Sequence, residues 1–228
     1  MHWEIAPERT YPVLRVSLER GEEVVAEPGA LLLMQGPIRV NTGIRGGVLQ
    51  GLMRSLVGGE SVFLNTFRAE GPAQVWLAPA GIGDIHYVPL NGESFVLQDF
   101  AYLAHHGSVE VSVAWRGFRG FLTEGELVWL KVRGTGGVWV SAFGAIEEIE
   151  VPAGETVTVD NFHFVGMAEG ARHRIRAVGG LKTILFGGEG LVVEVEGPAR
   201  LLIQSRHMVS LIQILLPILR RHIGSGRR

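Results

Sequence analysis

The stretch Phe186–Arg206, FGGEGLVVEVEGPARLLIQSR, decides the fold. It holds a Gly-Glu corner, a short run of alternating residues, a Gly-Pro turn and a second short run ending in Gln-Ser-Arg. The same plan occurs twice more, as GGESVFLNTFRAEGPAQVWLAPA from Gly58 and as EGELVWLKVRGTGGVWVSAFG from Glu124. Gly71, Gly134 and Gly197 are spaced by 63 residues each, and Trp76, Trp139 and Leu202 follow them in register. An earlier anchor is the Gly-Glu pair at Glu22, Glu93 and Glu155, followed by GALLL from Gly29, FAYLA from Phe100 and FHFVG from Phe162. A fixed period of this length marks a repeated structural unit.

Each unit reads as short strands. Leu191, Val193 and Val195 fall on one face, with Val192, Glu194 and Glu196 on the other. In the middle copy Leu127 and Trp129 alternate with Val128 and Leu130, which predicts a strand covered on both sides. The 32 glycines punctuate runs of five to eight residues instead of forming a low-complexity tract. Gly71-Pro72 and Gly197-Pro198 suit turns, because glycine tolerates unusual φ and proline cannot continue a ladder. The expected fold class is therefore all-β. One β-rich domain spans 1–206, built from three repeats at about 1–80, 81–144 and 145–206.

The Gly-Glu corners Gly59-Glu60, Gly125-Glu126 and Gly188-Glu189 are read as structural strand entries. Threefold recurrence argues against acid or base chemistry at Glu60, Glu126 or Glu189, since one chain rarely carries an active site three times.

Two segments depart from strand character. In Val48–Val57, Leu49, Leu52, Met53 and Leu56 stand at helical spacing between glycine pairs, which predicts a short helical insertion near 48–57. It reads either as a cap over a sheet end or as a partner-binding or ligand-gating loop. Its shorter counterparts are WRGFRGFL from Trp115 and VGGLKTILF from Val178. The second departure is 207–228, a C-terminal helix and basic tail. Leu211, Ile212, Leu215, Ile218 and Leu219 form an apolar stripe ahead of Arg220-Arg221 and Arg227-Arg228. Pro217 is expected to kink or restart this helix. So apolar a stripe needs a cover: its own body, a neighbouring subunit, or a membrane surface or partner.

Composition narrows the function classes. The chain has 228 residues, 46% apolar and 19% charged, which fits a folded domain with a real core. A net charge of −2 lacks the basic excess of a general polyanion binder, so no nucleic-acid partner is expected. With no cysteine there is no disulfide, thiolate metal site or cysteine nucleophile, in keeping with a reducing compartment. The opening residues carry no charged-then-apolar leader and the apolar tail is too short to span a bilayer, so the expected location is cytoplasmic.

Motifs for chemistry are sparse. His105 and His106 are adjacent and would point to opposite faces of a strand; His163 and His173 lie ten apart without an acidic partner at ligand spacing. No P-loop, nucleophile elbow, zinc-protease helix or dinucleotide fingerprint occurs. Asp84, Asp99 and Asp160 sit near turns, where Asp bonds local backbone. No catalytic residue, cofactor-binding residue, metal site or cofactor is assigned.

GESVFLNTF, LAPAGIGDI and GGLKTILFGGEGLVVEVEGPARLLIQSR, with the flanking Gly-Glu pairs, resemble a bacterial and archaeal family of unknown function that includes a yeast mitochondrial biogenesis protein. The resemblance runs from about Tyr11 to Arg206. It implies a fold similar to the tryptophan RNA-binding attenuation protein, with three double-stranded β-helix-like units per chain. It also implies a homotrimer closing a ring of nine pseudo-equivalent units, and it supplies no catalytic set. The leading expectation is a non-enzymatic structural or interaction module, acting as a ring-like homo-oligomer that engages a protein or membrane-surface partner. The alternatives are a small-molecule-binding protein using clefts between units, and an unrecognised enzyme.

Overall fold

A computed structural model describes residues 1–6, 11–43, 63–119, 126–177 and 191–224. The helical reading of 48–57 lies outside these residues, and so do Gly59, Glu60, Gly125, Gly188 and Glu189. The described chain is mostly strand, in three antiparallel sheets, with one α-helix, so the fold is all-β.

The first sheet has four strands: β1 (His2–Ala6), β2 (Val13–Leu18), β7 (Ala73–Leu77) and β4 (Leu31–Gln35), in that order. The second has nine, ordered β11 (Ile146–Val151), β16 (Ala199–Gln204), β13 (Phe164–Ala168), β8 (Ile85–Gln98), β10 (Glu126–Ser141), β9 (Tyr102–Arg119), β3 (Glu23–Ala26), β6 (Leu64–Ala69) and β5 (Ile38–Gly43). The third has three: β12 (Thr156–Asp160), β15 (Leu191–Glu196) and β14 (Arg172–Ala177). A 3-10 turn, Asp99–Ala101, joins β8 to β9.

One pairing scheme runs through the chain. Within 13–77, β2 and β4 both pair with β7, while β3 and β5 both pair with β6. Within 146–204, β11 and β13 pair with β16, while β12 and β14 pair with β15. In the middle the same pairings are made by long strands: β8 and β9 each pair along both halves of β10. Sequence chemistry explains the difference. Gly71 and Gly197 precede prolines and lie in breaks between strands, whereas Gly134 precedes Thr135, and β10 passes through it as a bulge. Gly134 has φ +143, and a Cβ there would lie 1.9 Å from the Ser108 carbonyl oxygen.

Two further pairings stitch consecutive sections together. β3 pairs with the start of β9 through Val25↔His105 and Ala26↔Ala104, and the Glu27 N–H donates to Leu103 O at 2.9 Å. The end of β8 pairs with β13 through Leu97↔Gly166, Val96↔Met167 and Phe95↔Ala168, and the Glu169 N–H donates to Ser94 O at 2.9 Å.

Three apolar clusters fill the spaces between layers. One packs Leu90, Leu97, Tyr102, Val132 and Val140; a second packs Leu14, Val24, Phe67, Leu77 and Trp139; a third packs Phe164, Val193, Val195 and Leu201. Burying each such side chain contributes roughly 1.5–3 kcal/mol. Trp129 and Leu130 are both buried, as the middle copy predicts.

Two strand-level findings go beyond the sequence reading. On the face of β15 that carries Val192, Glu194 and Glu196, Val192 and Glu194 are buried and Glu196 is exposed, and arginines of β14 fold over the Glu194 carboxylate. Trp115–Arg119 does not leave the sheet as a loop; it continues β9 opposite β10, with Trp115↔Trp129 and Arg119↔Glu126 in register.

Candidate interaction site

Leu31, Leu32, Leu33 and Met34 of β4 are exposed by 40%, 55%, 39% and 48%. That is unusual for four consecutive large apolar residues in a strand. Their counterparts in the pairing scheme are Tyr102–His105 in β9 and Phe164–Met167 in β13, and all eight of those are buried. Among the described residues, the difference is a missing neighbour. β9 lies against β3, and β13 lies against β8, but β4 ends its sheet. At the other end of the chain, β12 stands where β3 and the end of β8 stand, and it too is an edge. Val25 and Val96 are buried under their partners, while Thr158 at the matching place is exposed.

The second exposed apolar feature is α1 (Met208–Gly224). It runs through Pro217 without a break, so the expected restart does not occur; proline forgoes one backbone bond and the helix continues. Leu211 is half-buried, whereas Ile212, Leu215, Ile218 and Leu219 are 42–52% exposed. The helix is rooted at His207, whose ring stacks on Phe162 at 5.2 Å and meets His163 edge-on at 4.9 Å. The Ser210 N–H donates to His207 Nδ1 at 3.3 Å, so the ring caps an orphan donor of the first turn. No helix among the described residues is long and apolar enough to cross a membrane.

The polar groups are tied into the fold. Tyr102 Oη lies 2.7 Å from His105 Nδ1 and 3.4 Å from the Val25 carbonyl oxygen, sealing the β3–β9 seam. Glu27 stands beside this pair, and burial pushes its carboxyl up to about 7. Burial raises the Tyr102 phenol well above its ordinary value, and the Glu27 charge adds to the rise. His106 points the other way, as adjacent strand residues must, and its Nε2 lies 2.9 Å from Tyr87 Oη. Burial lowers the His106 imidazole.

Glu194 takes one oxygen to Arg176 Nε and the other to Arg174 Nε. These bonds hold its carboxyl below the usual range. Asp84, Asp99 and Asp160 each accept a nearby backbone N–H, from Ile85, Phe100 and Phe162. His163 bonds the Gln204 carbonyl oxygen and His173 that of Ala171. No group of three or more His, Cys, Asp or Glu placed to hold a metal occurs among the described residues.

Of the Gly-Glu corners assigned from sequence, only Glu126 is described, as the first residue of β10 opposite Arg119. The related anchors Gly21, Gly92 and Gly154 all adopt positive φ, between +84 and +97. Glu22 accepts the Glu19 N–H at 2.9 Å and pairs with the chain's amino terminus at 2.7 Å, which is corner chemistry, not catalysis. The GALLL run from Gly29 carries no sequence signal that sets β4 apart from its counterparts. Alternation cannot tell a strand buried by its own chain from one whose cover is absent.

Residues 3–206 match the family described as mitochondrial biogenesis AIM24. The chain is 28% identical over 216 residues to an uncharacterised protein of Streptococcus pyogenes serotype M6, covering 91% of this chain and 87% of that one. It is also similar to the crystal structure of a Streptococcus pyogenes protein solved as a structural-genomics target. There the TM-score is 0.80 and the identity 27%, over 95% of this chain and 99% of that one.

Proposed function

We propose that this chain, which belongs to the mitochondrial biogenesis AIM24 family, is an interaction module that assembles head to tail with copies of itself into a ring and presents α1 to a partner. The observation that carries the reading is the complementarity of its two unfinished sheets. Each of the two internal seams joins three strands of one section to three of the next. One runs β5-β6-β3 to β9-β10-β8, the other β9-β10-β8 to β13-β16-β11. The three-stranded sheet β14-β15-β12 stops at the strand that starts a seam. The four-stranded sheet stops at β4, the strand that receives one.

A second copy completes both. Transferring the internal register places Thr158 opposite Met34, Val159 opposite Leu33 and Val157 opposite Gln35 of the neighbour, as Val96 faces Met167 and Leu97 faces Gly166. The contact is heterologous, so it propagates into a closed ring or a filament. The recurrent pairing supports reading the chain as three tandem units at about 1–80, 81–144 and 145–206, and the family resemblance supports three chains per ring. Intact protein is then expected to have a mass near three chains in light scattering, and a clean monomer at micromolar concentration would reject the assembly.

A further inference from the structure

We infer that α1 binds an anionic lipid surface, lying in its plane. Leu211, Ile212, Ile214, Leu215, Leu216, Ile218 and Leu219 cover about 200° of the helix circumference, and of these all but Leu211 are 39–65% exposed, Ile214 the most. Gln213 and Arg220, seven residues apart and both exposed, lie on the opposite face. A broad apolar face opposite a polar face, with basic residues at the helix end, is the pattern of an interfacial helix, and the helix is too short to span.

Charge selects among the covers. Residues 207–228 hold four arginines at 220, 221, 227 and 228 and no Asp or Glu. A second α1 would therefore bring like charge against like charge, whereas an anionic headgroup layer complements the basic end and accepts the apolar face. The root of the helix is fixed to the β-domain through the His207–Phe162 stack, so the ring would carry the helix to the surface instead of releasing it.

The inference rests on α1 being the interaction element of the proposed module, and the test separates the two. The intact protein is floated with phosphatidylcholine vesicles alone and with vesicles containing ~30 mol% phosphatidylglycerol. The expected result is flotation with the anionic vesicles only, lost in 1 M salt, where the Debye length shrinks to about 3 Å. R220E combined with R221E is expected to weaken binding about tenfold or more. I214D should abolish it, while the mass in light scattering stays that of the intact protein.

Equal flotation with both vesicle types, or none with either, overturns the lipid assignment. If flotation fails and I214D lowers the assembly mass, the cover is another copy, and α1 remains an interaction element with the wrong partner named here. If flotation fails and I214D leaves the mass unchanged, the interaction reading of α1 falls as well.

Discussion

Met34→Asp tests the assembly at its seam. Met34 is 48% exposed in the single chain, while its counterparts His105 and Met167 are 1% and 2% exposed beneath their partner strands. Covering the exposed half of a Met side chain contributes about 1 kcal/mol. An aspartate in its place loses that and leaves a carboxylate desolvated, at a cost of about 2 kcal/mol or more without a compensating cation. Each junction then weakens by about 3 kcal/mol, or roughly a hundredfold in its dissociation constant. The isolated chain loses only the half of Met34 that it already covers, so its circular dichroism should persist and its thermal midpoint should fall far less than the assembly weakens.

The assay is light scattering across a dilution series, with Thr158→Pro as an independent break on the opposite edge. Both variants are expected to shift mass towards one chain at concentrations where the parent stays assembled. If Met34→Asp and Thr158→Pro both retain the parent mass at every dilution, β4 and β12 are not the joining edges and the transferred register is wrong.

Three other perturbations probe the fold. Glu27 has a folded pKa of about 7 against an ordinary 4.5, so the folded state holds its proton more tightly than the unfolded chain. Stability should therefore be unpenalised below about 4.5, fall between 4.5 and 7, and then level off, by at most about 3 kcal/mol in all. Glu27→Gln should flatten that slope in urea titrations at pH 5 and 8; an unchanged slope refutes the assignment. Glu194 is shifted in the opposite sense, so its contribution is present at neutral pH and lost as pH falls. Glu194→Gln should be less stable than the parent at pH 7, by a margin that shrinks as pH falls, measured by thermal melts. Gly83→Ala would set a Cβ 2.1 Å from the Ala142 carbonyl oxygen, at the bridge between Gly83 and Gly144. The expected cost of about 1–3 kcal/mol is several degrees of midpoint in calorimetry, and a loss under one degree would show that the loop yields freely.

Strand content and the strand breaks were legible in the sequence because both rest on local chemistry. The spacing of Gly71, Gly134 and Gly197 placed β7, the second half of β10 and β16, and the glycines at 21, 92 and 154 marked corners that require positive φ. The continuity of β10 through Gly134 was not foreseen, since it turns on Thr135 standing where proline stands in the other copies. Nor was the burial of Glu194: period two assigns a face, but not the arginines that close over it from β14. The exposed run in β4 was hidden for a different reason. Apolar residues announce that they will be covered without saying by which chain.

The long strands β8, β9 and β10 have a consequence for how the molecule holds together. β9 forms one internal seam and β8 the other, with β10 joining them, so the centre of the chain is tied into a nine-stranded sheet by its own covalent thread. The β12-β15-β14 sheet has three strands and depends on outside contacts for the rest of its frame, a size at the margin of independent stability. Opening free energy should accordingly be graded along the sequence, greatest in the middle third and smallest at the last. Assembly would then do more than join finished subunits. It would lend the final section the rigidity that the middle section already possesses.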